Sequence, residues 1–255
     1  MVLPLILLLA GVLLFLIIGY NIIQQYKQKV EAEKRATIVK QKAIITETDE
    51  MLLQASRIPF SKELLIILHN RILDALTSIQ QVDPGLKQVN QRIKDINGQL
   101  TQIAQNYTQP SDASLRMPDN DKQAVMMLQV VKKIRAIVRS EHSKGKVQTP
   151  IFVAENRRLE LMQLKINIEN ALTRANGAKL NRQFGTSKQL LDKAIETLNS
   201  LPDRDEYLQS KLEQMMQMKQ DLLKQLKQAS DSDLKERQDK EVDELDVLFQ
   251  PKKKW

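Results

Sequence analysis

Cysteine is absent from this chain, which excludes disulfide frameworks and thiolate metal sites. Histidine occurs twice, at His69 and His142. They fall on different predicted helices, with no nucleophile, metal partner or orienting carboxylate indicated beside either, so neither is assigned catalysis. Phosphate-loop, zinc-protease and calcium-loop patterns are missing. Ser143-Lys144-Gly145-Lys146 and Gly185-Thr186-Ser187-Lys188 look superficially like phosphate loops, but neither follows a predicted strand. The paired acids Glu47 and Glu50 read as an ordinary solvated helix surface. The sequence therefore predicts no enzyme, no cofactor and no metal. Glycine (7), proline (8) and aromatic residues (4%) are scarce, while Leu, Ile, Gln and Lys abound. That composition favours helices and offers few strand candidates.

Charge is missing from Leu3 to Ile23, an apolar run broken only by the Tyr20 phenol and the Asn21 amide. At helical rise such a run spans about 30 Å, the thickness of a bilayer's hydrocarbon core. Pro4 stands in the first turn, where its lost N–H is harmless. A cleaved signal peptide is the rival reading. It requires a basic start, a shorter apolar stretch and small residues at its end, whereas Ile17-Ile18-Gly19-Tyr20-Asn21 stands where cleavage would fall. Lys27, Lys29, Lys34 and Arg35, then Lys40 and Lys42, follow the run, and no charged side chain precedes it. Positive flanks stay inside, so the N-terminus is expected outside and the bulk in the cytoplasm, on a bacterial-type inner (plasma) membrane. A net charge of +8 suits a neighbour of anionic lipid and also permits nucleic acid.

Periodicity predicts an all-α body. Leu65, Leu68, Ile72, Leu76 and Ile79 form one apolar stripe; Leu86, Val89, Ile93, Ile96, Leu100 and Ile103 form another. Asp83-Pro84-Gly85 separates them, with Asp83 read as N-cap and Pro84 as the first residue of the second helix, giving an αα-hairpin. Residues 107–121 (YTQPSDASLRMPDND) read as a loop. Helices resume through Met127, Val130, Val131, Ile134 and Ile137, and again from Thr149-Pro150 through Leu161, Leu164, Ile168 and Leu172. Gly177 marks a turn or weak point, and a second hairpin covers 179–201 and 205–228 around Pro202-Asp203. A shift of 119 positions aligns the hairpins: Ile72 on Leu191, Ala75 on Ala194, Ile79 on Leu198, Val89 on Leu208, Ile93 on Leu212, Ile96 on Met215. Ile38, Ile45 and Leu52 recur every seven residues. They fit either a self-associating stalk, hence a homo-oligomer, or packing on the hairpin after Pro59, and the second use is favoured.

The expected organisation is an anchor (1–23), a basic juxtamembrane stalk helix (24–57), a first hairpin (58–107) and a linker (108–121), then further helices with the second hairpin (122–229) and a disordered or frayed charged tail (230–255). Leu73-Asp74-Ala75-Leu76 with Asp83-Pro84, and Lys193-Ala194-Ile195 with Pro202, resemble tetratricopeptide hairpins over about sixty residues. The alanine-to-proline gap is longer than that repeat allows, and tandem copies are missing, so an irregular bundle is the other form this body can take. The resemblance implies a helical surface for partner peptides and no catalysis.

Two segments are candidate binding sites. Lys132, Lys133, Arg135, Arg139, Lys144, Lys146, Arg157 and Arg158 fall within 27 residues, opposed by Glu141 and Glu155. They form either an anionic-surface patch for lipid or nucleic-acid phosphates or a plain solvated face. In the tail, an acidic stretch from Asp231 to Asp246 precedes Leu245, Val247, Leu248 and Phe249, and Trp255 ends the sequence. Such apolar anchors beside charge form a docking motif or fold back on the protein's own helices. The tail is also similar to the sliding-clamp-binding motif of bacterial DNA-handling proteins, with one residue too many in Glu244-Leu245-Asp246-Val247-Leu248-Phe249. The sequence thus predicts a membrane-tethered, non-enzymatic adaptor or scaffold for cytosolic proteins. The alternative is a membrane-anchored, nucleic-acid-associated protein of DNA maintenance.

Overall fold

The computed structural model describes residues 2–111 and 114–249, and side chains at 16–55, 57–111 and 114–228. Among the described residues there are helices and no strand. The helices are α1 (Val2–Leu52), α2 (Lys62–Val82), α3 (Lys87–Asn106), α4 (Asp121–Ser143), α5 (Thr149–Leu180), α6 (Phe184–Asn199) and α7 (Glu206–Phe249), with a 3-10 turn at Leu53–Ser56. The all-α expectation therefore holds. No helix among the described residues is long and apolar enough to cross a membrane. Of the predicted span Leu3–Ile23, the side chains of 3–15 lie outside the described residues. The transmembrane span is thus not carried by what is described.

The chain divides into two units. The first comprises Met1–Arg116 and Ile134–Arg157; the second comprises Met117–Lys133 and Arg158–Trp255.

In the first unit, α2 packs against both α1 and α3. Ser61 caps α2, its Oγ accepting from the Leu64 N–H at 3.0 Å. The predicted α2 stripe is buried throughout: Leu65, Leu68, Ile72, Leu76 and Ile79. Each such side chain contributes roughly 1.5–3 kcal/mol by leaving water. Ile45 and Leu52 of α1 pack on Ile72, Leu76 and Ile96, and Met51 is buried beside them. That part of the heptad series therefore faces the hairpin. Asp83 is not the N-cap of α3. It ends α2, and its Oδ1 accepts from the Gly85 N–H at 3.2 Å, closing a turn before Pro84 can enter a helix. Helix α3 begins at Lys87, and of its stripe only Ile96 is fully buried. The loop after α3 is tied down, with the Tyr107 hydroxyl donating to the Phe60 carbonyl at 2.8 Å and Leu115 buried.

Helix α4 stops at a glycine that carries positive φ. Gly145 (φ +74°) lets the Lys146 N–H reach the Glu141 carbonyl and the Gly145 N–H reach the His142 carbonyl. This is a Schellman closure. It places Lys144 and Lys146 on either side of the reversal.

In the second unit, α5, α6 and α7 share one core: Ile168, Leu172, Ala175, Leu191, Ala194, Leu198, Leu208, Leu212, Met215 and Leu222. Gly177 is not a turn; it lies inside α5, which ends at Leu180. The reversal falls on Arg182 (φ 58°), where the Gln183 N–H bonds to the Ala178 carbonyl and the Arg182 N–H to the Lys179 carbonyl. This is the same closure without glycine. Helix α6 accordingly starts at Phe184 rather than Lys179. Ser187, buried, donates to the Ala175 carbonyl at 2.9 Å. In the 119-residue alignment, Ile72 and Leu191, Ala75 and Ala194, Ile79 and Leu198, and Ile96 and Met215 are buried in their respective hairpins. The α7 backbone stays helical to Phe249, where composition predicts a disordered or frayed segment from Ser230.

Candidate functional site

In the first unit, three elements bring charge together around Arg71 on α2. Its Nη2 donates to Glu47 Oε2 of α1 at 2.8 Å, and its Nη1 to Glu141 Oε1 of α4 at 3.3 Å. The Glu141 side chain is 4% exposed and the Arg71 side chain 12%. A carboxylate so desolvated requires close cations, and Lys144 Nζ supplies a second at 2.8 Å. Lys146 pairs with Asp74, one turn along α2 from Arg71. A neighbouring brace, Arg92 Nη2 to both oxygens of Asp49 at 2.9 Å, ties α3 to α1.

Two clefts adjoin this cluster. The more apolar one, about 210 Å³, is lined by Ile66, Ile67, Val147 and Ile151 with Arg71 and Glu141. The more polar one, about 260 Å³, is lined by Lys40, Arg71, Asp74, Glu141, Lys144 and Lys146. Neither cleft was foreseen as such, although Lys144 and Lys146 of the polar one belong to the basic stretch read as a candidate anionic-surface patch. Arg71 and Glu141 are 70 residues apart, so no local pattern announces them. The one available signal was an arginine flanked by the stripe residues Leu68 and Ile72.

The predicted basic stretch is only partly an open cationic surface. Lys144 and Lys146 are held in ion pairs, and Arg135 Nε donates to Asn156 Oδ1 at 3.2 Å. Arg158 is half-buried, whereas Arg139 and Arg157 in the first unit and Lys132 and Lys133 in the second are exposed. Of the topology residues, Lys27, Lys29, Lys34 and Arg35 are exposed on α1, and Arg35 pairs with Glu31 at 3.7 Å. The docking-motif side chains Leu245, Val247, Leu248 and Phe249, and Trp255 as a whole, lie outside the described residues. Both histidines are engaged in fold contacts. His69 Nδ1 donates to the Leu65 carbonyl at 2.7 Å. His142 Nδ1 donates to the Val147 carbonyl at 2.9 Å, and its ring stacks on Phe152 at 4.3 Å.

The second unit has its own polar cluster at the start of α7. The Tyr207 hydroxyl donates to Glu169 Oε2 at 2.8 Å, and Lys211 Nζ pairs with the same oxygen at 2.9 Å. Lys165 pairs with Asp205, and the Lys165 and Lys211 ammoniums sit 5.3 and 5.6 Å from the Tyr207 ring centroid. Burial, then the bond to the Glu169 carboxylate, pushes the Tyr207 phenol well above its ordinary range, so it stays a donor. Burial would raise the Asp205 carboxyl. Its bonds to Lys165 and to the Leu208 N–H outweigh that and hold it below the ordinary carboxylate value. Asp205 also caps α7, accepting from Leu208 N–H at 2.9 Å. This cluster joins α5 to α7.

The fold and these clusters define a class no narrower than an all-α protein whose buried charges bridge helices. Comparison with protein-family models, with curated proteins and with solved structures finds no match.

Proposed function

We propose that this protein is a membrane-tethered, non-enzymatic adaptor that holds a helical binding body at the inner face of a bacterial-type membrane. The observation that carries the reading is on α1. Leu16, Ile17, Ile18, Tyr20, Ile22, Ile23 and Tyr26 are each 50–69% exposed, on every side of one helix. Seven large, mainly apolar side chains within eleven residues, each half or more exposed, form a surface that water does not favour. They continue the uncharged run that begins at Leu3, and Lys27, Lys29, Lys34 and Arg35 follow at once. Tyr20 and Tyr26 suit the polar boundary of a bilayer. The same helix runs without a break from this surface to the residues that pack on α2, so its apolar end and its packed end are one continuous element.

The body then offers hairpins whose inward stripes resemble tetratricopeptide units, with grooves between helices for partner segments. Tethering raises the effective concentration of whatever binds. Commitment of both histidines to backbone carbonyls favours a binding role over acid–base chemistry. The nucleic-acid alternative has less support, because the eight cations of the basic stretch are divided between two units.

The test is alkaline extraction of membranes, joined to protease digestion of sealed inverted vesicles. The expected result is a pellet-bound chain whose body is digested from the cytoplasmic side. Release into the alkaline supernatant, or digestion only from the opposite side, overturns it. A pull-down of the full chain with and without residues 242–255 tests the tail, and identical partners from both rule out docking there.

A further inference from the structure

We propose that the polar cleft of the first unit binds a phosphate-bearing anion. This goes beyond the adaptor reading and does not depend on it. Four cations from three elements line the cleft: Lys40 from α1, Arg71 from α2, and Lys144 and Lys146 from the end of α4. Asp74 and Glu141 are the acids among them, leaving the lining two charges positive. Lys40 makes no hydrogen bond or ion pair among the described residues. Lys144 and Lys146 keep 49% and 46% of their side-chain surface, so each has ammonium protons to spare beyond its one carboxylate. Arg71 Nε is buried without an acceptor, so one N–H of its guanidinium is left to donate. The site is preorganised. Gly145's left-handed turn fixes the two lysines about the reversal, and Glu47 with Glu141 clamps Arg71. Lysines act on phosphate as point charges and need no planar geometry, which suits a ligand held by several ammoniums at once. The cleft, at about 260 Å³, has room for a phosphate or pyrophosphate group.

A free phosphate compound and a phospholipid headgroup share this chemistry. Lys40 lies 17 residues beyond Ile23, about 25 Å along an α-helix, so a free compound reaches the cleft more readily than a headgroup in the bilayer plane.

The experiment is calorimetric titration of the full chain in neutral detergent, at an ionic strength fixed with chloride. The ligands are inorganic phosphate, pyrophosphate, a short-chain soluble phosphatidate and the matching phosphatidylcholine. Saturable binding of pyrophosphate alone supports the site with a free phosphate as ligand; binding of the phosphatidate as well supports it with headgroups included. Lys40→Gln, which breaks no internal pair, should weaken binding about tenfold. Asp74→Asn should tighten it, because it releases Lys146. Circular dichroism melts confirm that both variants fold. No saturation by any phosphate, equal binding by phosphatidylcholine, or unchanged affinity in Lys40→Gln overturns the site.

Discussion

Arg182 and Gly177 show how a single residue can mislead about where a helix ends. The left-handed backbone at Arg182 costs an L-residue roughly 1–2 kcal/mol, and glycine adopts it freely. Gly177, by contrast, sits in helix interior with nothing within 4 Å of where a Cβ would stand. Arg182→Gly and Gly177→Ala should therefore each stabilise the chain by about 1 kcal/mol, read as a higher midpoint in urea. A fall in either midpoint contradicts the assigned geometry. The reversal was illegible in the sequence because the residue bearing it is of a type that rarely does so. Asp205 supplies a residue-scale test of charge. Its folded carboxyl is held below the ordinary value, so its contribution is present above the unfolded value and lost as pH falls through the folded one. Asn caps helices as well as Asp. Asp205→Asn should thus keep the α7 cap yet lose less stability than wild type between about pH 5 and pH 2, measured by melts across that range. Parallel acid limbs for the two proteins would show that the Lys165–Asp205 pair does not contribute.

At the scale of elements, the stripes of α2 and α3 were legible because an apolar residue every three or four positions serves packing directly. Asp83 was misread because two local rules competed for it. Its carboxylate could cap the next helix or close a turn onto Gly85, and the proline that follows favours the extended backbone of the turn. The heptad series of α1 was read two ways, and Ile45 and Leu52 pack on the hairpin. What periodicity could not reveal is the ionic bracing. Arg71 joins α1, α2 and α4 through residues 24 and 70 positions away. Removing it leaves Glu141, 4% exposed, with Lys144 as its one remaining cation. Arg71→Ala should destabilise by about 3 kcal/mol, seen in urea unfolding of the full chain. The double change Arg71→Met with Glu141→Leu should recover much of that loss, because no buried charge is left unpaired. A single variant as stable as wild type would mean that solvent already screens the pair.

At the scale of the whole molecule, the basic stretch shows the limit of reading charge from sequence. Eight cations within 27 residues look like one surface, yet the fold divides them between two units and turns Lys144 and Lys146 toward carboxylates that sequence distance had hidden. The apolar run has the opposite character, since the exposure of Leu16 to Ile23 leaves that end of α1 without a protein surface to cover it. Among the described side chains of α1, full burial begins only at Thr48 and Met51, more than twenty residues past the run, with Ile38, Ile44 and Ile45 half-covered before them. The two ends of the helix should then serve separable purposes. Deleting residues 2–23 should move the chain from the membrane pellet to the supernatant while leaving its helical melt within about 2 °C of the full chain, because the described side chains it removes, Leu16 to Ile23, are not buried in the core. The pairing of outcomes matters. A truncated chain that stays in the pellet places the membrane affinity elsewhere, whereas a truncated chain that leaves but melts much lower gives residues 2–23 a packing role in the body that the exposure of Leu16 to Ile23 argues against.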